Sequence, residues 1–263
     1  MENNGPLGFF DSGVGGTSIW KEVIQLLPYE NSIYLADSRN APYGEKPVKE
    51  IIALCKKNTD RLLEMGCKII VVACNTATTN AIDYLRSNYH VPFIGIEPAI
   101  KPAALSSKTK FIGILATKGT LSSALFSKTS ELYKENITIV EVVGQGLVDL
   151  IEQGAHESPE MELHLRTLLK PMLIAQIDYL VLGCSHYPYL LPVLRKIFPP
   201  GVTIIDSGEA VARQTRKVLA ENNLLHEAGA IGKHTLFSNS DPAILSHLVN
   251  AKQNGYTVSY LEF

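Results

Sequence analysis

The feature that most constrains this chain is a rhythm: short, almost unbroken apolar runs alternate with stretches long enough to be helices. The runs fall at Leu7–Phe10, Ser32–Ala36, Ile69–Ala73, Phe93–Ile96, Phe111–Leu115, Ile137–Val143, Tyr179–Leu182 and Thr203–Ile205. A strand with one wet face alternates polar and apolar residues. A strand that stays apolar throughout belongs to a parallel sheet covered by helices on both faces. Between the runs, VKEIIALCKKNTDRLLEMG (48–66) and MELHLRTLLKPMLIAQ (161–176) are amphipathic. The pattern predicts an α/β chain with doubly wound, mostly parallel sheets, in which ligands bind beyond the carboxyl ends of the strands.

Composition narrows the functional classes. The 263 residues are 46% hydrophobic and 19% charged, ordinary values for a globular enzyme, and they suffice for two modest domains. A formal net charge of −2 offers no electrostatic reason to expect nucleic acid or an anionic membrane as partner. No run approaches the roughly 20 apolar residues of a membrane span. The start, MENNGPLGFFDSG, has neither a basic leader nor a signal-like apolar stretch, so the expected location is the cytoplasm. The four cysteines, Cys55, Cys67, Cys74 and Cys184, form no CxxC pair and no zinc-like spacing with histidine. Free thiols and no metal are expected, with Cys55 and Cys67 as packing residues.

Two loops stand out. VVACNTATTNAI (71–82) and YLVLGCSHYPYLL (179–191) each end an apolar run on a cysteine followed by small polar residues. The two cysteines lie 110 positions apart, and the same offset carries FIGI (93–96) onto TIID (203–206). GFFDSGVGGT (8–17) is echoed by GILATKGT (113–120). Together the echoes predict two similar α/β domains related by a pseudo-two-fold, each contributing a cysteine loop to a shared cleft. The expected division is 1–97 plus 208–263 against 98–207, with hinges near Glu97-Pro98 and Asp206-Ser207.

DSGVGGTS (11–18) looks like a phosphate loop but fits neither nucleotide pattern: Ser18 stands where GxGxxG needs glycine, and no GK[ST] follows. What remains is a glycine turn with Asp11 and Ser12 at a strand end, suited to a carboxylate as well as a phosphate, or simply a tight turn capping a helix. A helix start after Cys74 or Cys184 would favour thiolate, and Asn75, Thr76 and Ser185 could cap that helix or bind an anion with the same atoms. SRNAPYGEKP (38–47) reads as a long surface loop after a strand. A buried structural cysteine is the plain alternative for either thiol alone. One activated thiol would suggest a hydrolase or transferase. Two thiols across a cleft suggest proton removal from one face of a carbon and delivery to the other, which is racemisation or epimerisation without a metal.

At FFDSGVGG, LADSRNAPYGEKP, VVACNTATTNA, GIEPAIKPA and LGCSHYP, in that order over residues 7 to 208, the chain resembles the glutamate racemases of bacterial cell-wall synthesis, within the aspartate/glutamate racemase superfamily. The resemblance implies interconversion of L- and D-glutamate without cofactor, a role in peptidoglycan synthesis and cell shape, two α/β domains and a homodimer. It makes Cys74 and Cys184 the catalytic thiols, the first serving D-glutamate and the second L-glutamate, with Asp11 and His186 assisting them. Ser12, Tyr43, Gly44, Asn75, Thr76 and Ser185 match substrate-binding positions, and Thr117 matches through the echo loop. Glu152 matches an acidic residue near the second thiol in some members. Ser185 replaces the family's usual threonine, and VVGQGLVD before Glu152 lacks a Cys-Pro pair common among relatives. An aspartate racemase is the nearest alternative, and a binding or inhibitor protein on the same fold is a further one.

Overall fold

The computed structural model describes residues 5–226 and 228–263. Its strands are β1 (Leu7–Asp11), β2 (Ser32–Ala36), β3 (Ile69–Val72), β4 (Phe93–Gly95), β5 (Phe111–Ala116), β6 (Thr138–Val143), β7 (Tyr179–Gly183), β8 (Thr203–Ile205), β9 (His234–Ser238) and β10 (Thr257–Tyr260). They form two sheets, ordered β10-β9-β2-β1-β3-β4 and β6-β5-β7-β8. Every pairing is parallel. The α/β architecture is therefore the one the apolar rhythm predicts, and the first eight strands end within one residue of their predicted limits.

The unbroken runs conceal the period of two that a pleated strand requires. In β3, Ile69 and Val71 pack with Phe9, Trp20 and Val23 in one core, whereas Ile70 and Val72 pack with Phe10, Leu62 and Leu85 in another. Helices Thr17–Leu26 and Gly208–Glu221 supply the first layer, and Val48–Glu64 and Asn75–Asn88 the second. All four residues of β3 are fully buried. At about 1.5–3 kcal/mol for each side chain buried, this strand alone is a strong reason for the sheet to form.

The order β2-β1-β3-β4 repeats as β6-β5-β7-β8, so Cys74 and Cys184 follow equivalent strands. The connections leaving β4 and β8 meet where the Ser207 hydroxyl donates to the Glu97 carbonyl. The repeat is incomplete. β9 and β10, which the apolar runs do not reveal, extend only the first sheet, along its β2 edge.

Two local expectations change. The amphipathic stretch 161–176 lies in two helices, Pro159–Leu168 and Lys170–Ile174, because Pro171 has no N–H to continue the ladder. The segment 38–47 is not a solvated surface loop: it holds two short 3-10 turns, and Tyr43 within it is 1% exposed. Among the described residues, no helix is long and apolar enough to cross a membrane.

Candidate active site

Asp11 ends β1 and is wholly buried. Its Oδ2 accepts the N–H groups of Gly13 (3.3 Å) and Gly16 (2.9 Å), which folds the glycine turn back over the strand end. From the other half, the Ser185 hydroxyl donates to Asp11 Oδ1 at 3.2 Å, and His186 Nδ1 stands 4.0 Å from Oδ2. Ser12 lies beside the first thiol, with Cys74 Sγ 3.8 Å from its hydroxyl oxygen.

The thiols occupy equivalent positions in unlike surroundings. Cys74 itself is the N-cap of helix Asn75–Asn88, its sulfur accepting the Ala77 N–H at 3.4 Å. Asn75 and Thr76 are therefore the first helical residues and not caps. Cys184 precedes only the 3-10 turn Tyr187–Leu190, and Ser185 caps nothing. Instead Cys184 Sγ lies 3.8 Å from His186 Nδ1. One thiol thus faces a helix N-terminus and a carboxylate, and the other an imidazole.

Glu152 ends helix Leu147–Glu152 of the second half and reaches across to the first. Its Oε1 accepts the Val14 N–H at 2.6 Å and stands 2.6 Å from His186 Nε2, while its Oε2 accepts the Ser38 hydroxyl at 2.9 Å. The Gly15 N–H also points at His186 Nε2, from 3.2 Å. Both contacts cannot hold the same lone pair. The shorter, charge-assisted one decides, so Nε2 carries a proton and donates it to Glu152. The approach is so close that a Cβ added at Gly13 would stand 1.9 Å from Glu152 Oε1, and one at Gly15 2.1 Å from His186 Nδ1.

A hydroxyl cluster joins the halves nearby. Thr76 Oγ1 lies 2.8 Å from Thr117 Oγ1 and 3.3 Å from Thr120 Oγ1. Gly44 packs against the same threonine, where an added Cβ would sit 2.8 Å from Thr117 Cβ. The Tyr43 hydroxyl is not free for a ligand: it donates to Asp37 Oδ2 at 2.5 Å and accepts from Asn58 Nδ2 at 3.1 Å. A cavity of about 500 Å³ opens between the halves, and Gly44, Lys46, Thr117, Lys118 and Asp149 help to line it. The thiols do not line it; Cys74 and Cys184 are 4% and 6% exposed.

Asn75 is the residue most plainly built for a ligand. It is 2% exposed, and neither its amide oxygen nor its nitrogen has a hydrogen-bond partner. A buried amide left this way loses about 1–3 kcal/mol per unmade bond unless something fills the site. Its donor and acceptor suit a carboxylate and an ammonium group.

Electrostatics assign resting roles. Burial raises Asp11 above the usual carboxylate range, with His186 and the Gly16 N–H pulling it back. Burial, reinforced by Asp11, pushes the Cys74 thiol well above its ordinary value, with the Ala77 N–H opposing and Cys184 adding to the rise. His186 is raised well above 6.5: burial works against its charge, but the bonds to Cys184 and Glu152 and the Asp11 carboxylate outweigh it. The site therefore rests with a protonated Cys74 and an imidazolium at His186. Among the described residues, no group of three or more His, Cys, Asp or Glu side chains could hold a metal ion.

The structure thus brings together Asp11, Ser12, Cys74, Asn75, Thr76, Thr117, Glu152, Cys184, Ser185 and His186, with Gly44 beside Thr117. Sequence reading missed Asp37, Ser38 and Thr120. A signal for the first two existed: LADS repeats the strand-then-Asp-Ser ending of FFDS, so both acids were positioned to matter.

This fold and its paired thiol loops place the chain among the racemases: it belongs to the Asp/Glu/Hydantoin racemase family, whose sequence profile matches residues 21–215. Within that family its similar relatives are glutamate racemases. The one from Cupriavidus pinatubonensis is 44% identical over 95% of this chain and 92% of its own. Among solved structures, Escherichia coli glutamate racemase in complex with L-glutamate and the activator UDP-MurNAc-Ala superposes with a TM-score of 0.86 at 31% identity, covering 98% of both chains. A glutamate racemase isoform from Bacillus anthracis gives 0.85 at 28% identity over 100% of this chain and 98% of its own.

Proposed function

We propose that this chain interconverts L- and D-glutamate by moving the Cα proton through two thiols, and that it supplies D-glutamate for peptidoglycan. The observation that carries the reading is the paired placement of Cys74 and Cys184 after equivalent strands, each with its own acid–base partner, Asp11 for the first and His186 for the second. Relatives named glutamate racemase, at 41–44% identity over most of the chain, support glutamate over aspartate.

In the L-to-D direction, Cys184 as thiolate takes the Cα proton and becomes a thiol. The protonated Cys74 gives its own proton to the opposite face and becomes a thiolate. The electron pair left on Cα is held between the two steps by donors aimed at the adjoining carboxylate, for which the unpartnered Asn75 amide and the Thr76 and Thr117 hydroxyls are placed. Asp11 and Ser12 assist Cys74. Ser185 and Glu152 orient Asp11 and His186, and the Gly44 main chain helps enclose the substrate. Residues 1–97 with 208–263, and 98–207, act as two domains that part at Glu97-Pro98 and Asp206-Ser207 to admit it. We place the enzyme in the cytoplasm as a homodimer, a state that sedimentation velocity would measure.

The test is racemisation of L-glutamate in D₂O with no added cofactor. D-product should carry deuterium at Cα from its first appearance, while remaining L-glutamate stays largely protiated, because each thiol returns only the proton that it took. Protiated D-glutamate would overturn the two-thiol route. Faster turnover of aspartate would overturn the substrate.

A further inference from the structure

The two sheets differ in one respect: β9 and β10 extend the first and have no counterpart in the second. They run along β2, whose following segment, 38–47, carries Tyr43 and Gly44. The equivalent strand of the second half, β6, is followed by Gly144–Gly146 and then at once by a helix. The added strands therefore lie beside the one loop that the second half lacks.

The contacts between them are specific. Asn239 follows β9 and is 1% exposed. Its Nδ2 donates to Asp37 Oδ1 at 2.5 Å, and its Oδ1 accepts the Arg39 N–H at 3.0 Å. One amide thereby grips the chain on both sides of Ser38. Asp37, with no exposed surface, passes the constraint on: it accepts the Asn40 amide at 2.8 Å and the Tyr43 hydroxyl at 2.5 Å, with Lys57 Nζ at 3.8 Å. Beyond β10, Glu262 takes both guanidinium nitrogens of Arg39, at 2.5 and 2.8 Å, and the Tyr260 hydroxyl meets the same group at 3.1 Å. That pair is exposed and holds the loop weakly; the buried amide is the firm tether.

We propose that Asn239 is a positioning residue for the racemase site, acting through Asp37 to hold Tyr43 and Gly44 against Thr117, and that this is what the added strands do. It touches no reacting atom. Its effect runs from the Asn239 amide to the Asp37 carboxylate, to the Tyr43 hydroxyl, to the neighbouring Gly44 main chain. Because Ser38 also donates to Glu152, the same tether steadies the far side of His186. As a statement about catalysis it rests on the glutamate reading; as a statement about the loop it does not.

Two measurements separate those parts. Hydrogen exchange read by mass spectrometry reports the 38–47 segment without substrate. Asn239→Asp keeps the size and the acceptor for Arg39 but sets a carboxylate against Asp37, and exchange in 38–47 should rise while that of β3 stays unchanged. In the glutamate assay the same variant should raise KM about tenfold with kcat within about threefold, since misplacement on the order of 1 Å costs up to about 10²-fold. The double variant Asn239→Asp/Asp37→Asn restores a donor facing an acceptor and should return both readouts most of the way. Cys67→Ala, a packing loss in the same half, should leave KM unchanged even if the melting temperature falls. Unaltered exchange in Asn239→Asp, or no recovery in the double variant, would overturn the proposal. Raised exchange that the double variant reverses, in a protein inert toward glutamate, would uphold the tether and sink the proposed substrate.

Discussion

Glu152 Oε1 lies 2.6 Å from His186 Nε2 while accepting the Val14 N–H at 2.6 Å, so one carboxylate joins the imidazole of the second thiol loop to the glycine turn of the first strand. The two partners on Glu152 are 138 and 34 residues away in sequence. The contact adds to the Cys184 and Asp11 interactions that keep His186 charged, and it ties the halves together at the point where the proposed substrate sits.

Replacing Glu152 with Gln keeps its shape and removes the charge. His186 should titrate at lower pH, measured by NMR of its ring protons. The kcat should fall by about 10²-fold or more, the usual scale of a lost acid–base partner. The loss should be larger with L-glutamate, whose proton goes to Cys184 in the proposed mechanism.

Cys74→Ala and Cys184→Ala should each abolish racemisation while circular dichroism stays native. Residual activity in either variant, read by chiral chromatography, would remove the two-thiol route. Cys55→Ala should stay active, with a stability loss on the order of 1–3 kcal/mol for a small packing defect.

Gly13→Ala drives a methyl group to within 1.9 Å of Glu152 Oε1, in a turn bounded on the other side by Asp11. Activity should drop sharply with the melting temperature little changed, because the cheapest relief is to push Glu152 away from His186. Gly201→Ala, where nothing lies within 4 Å, is the control and should be silent.

Two histidines should bend the stability–pH curve in opposite directions. His186 is raised above its unfolded value of 6.5, so its contribution is complete below pH 6.5 and fades as pH climbs through the folded value. Burial lowers His234, which sits beside Trp20 and Tyr256, so its contribution is present above pH 6.5 and fades as pH drops through its folded value. His234→Gln should therefore flatten the acid side of a melting-temperature profile and His186→Asn the alkaline side.

Lys68 and Glu30 form an ion pair at 2.7 Å with side chains 1% exposed. The lysine also donates to the Leu224 carbonyl, and Glu30 accepts the His226 N–H. Removing the lysine takes away the cation that faces the buried Glu30 carboxylate, so Lys68→Ala should cost about 3–5 kcal/mol in a urea titration. The loss should appear in unfolding and not in KM, since neither residue approaches the thiols.

The strands of both sheets could be read in the linear chain because a strand buried on two faces must be apolar at consecutive positions, and that is a local property. β10, TVSY, is the edge strand, and β9, HTLFS, lies just inside it with only two residues fully buried, so burial imposes no continuous apolar run on either. The two cysteine loops were legible for a similar reason: equivalent strands at a fixed offset end at equivalent places. What surrounds each sulfur was not. Ala77 N–H reaches Cys74 within one turn of helix, but His186 owes its charge to Cys184, Glu152 and Asp11 together, and Tyr43 gives its hydroxyl to Asp37 and not to a ligand. Those pairings depend on how two sheets face each other across a cleft, and on two added strands that grip a loop 202 residues earlier. Residue type and spacing carry the first kind of information. The second exists only once burial has removed water and left each polar group to find its partner in the folded chain.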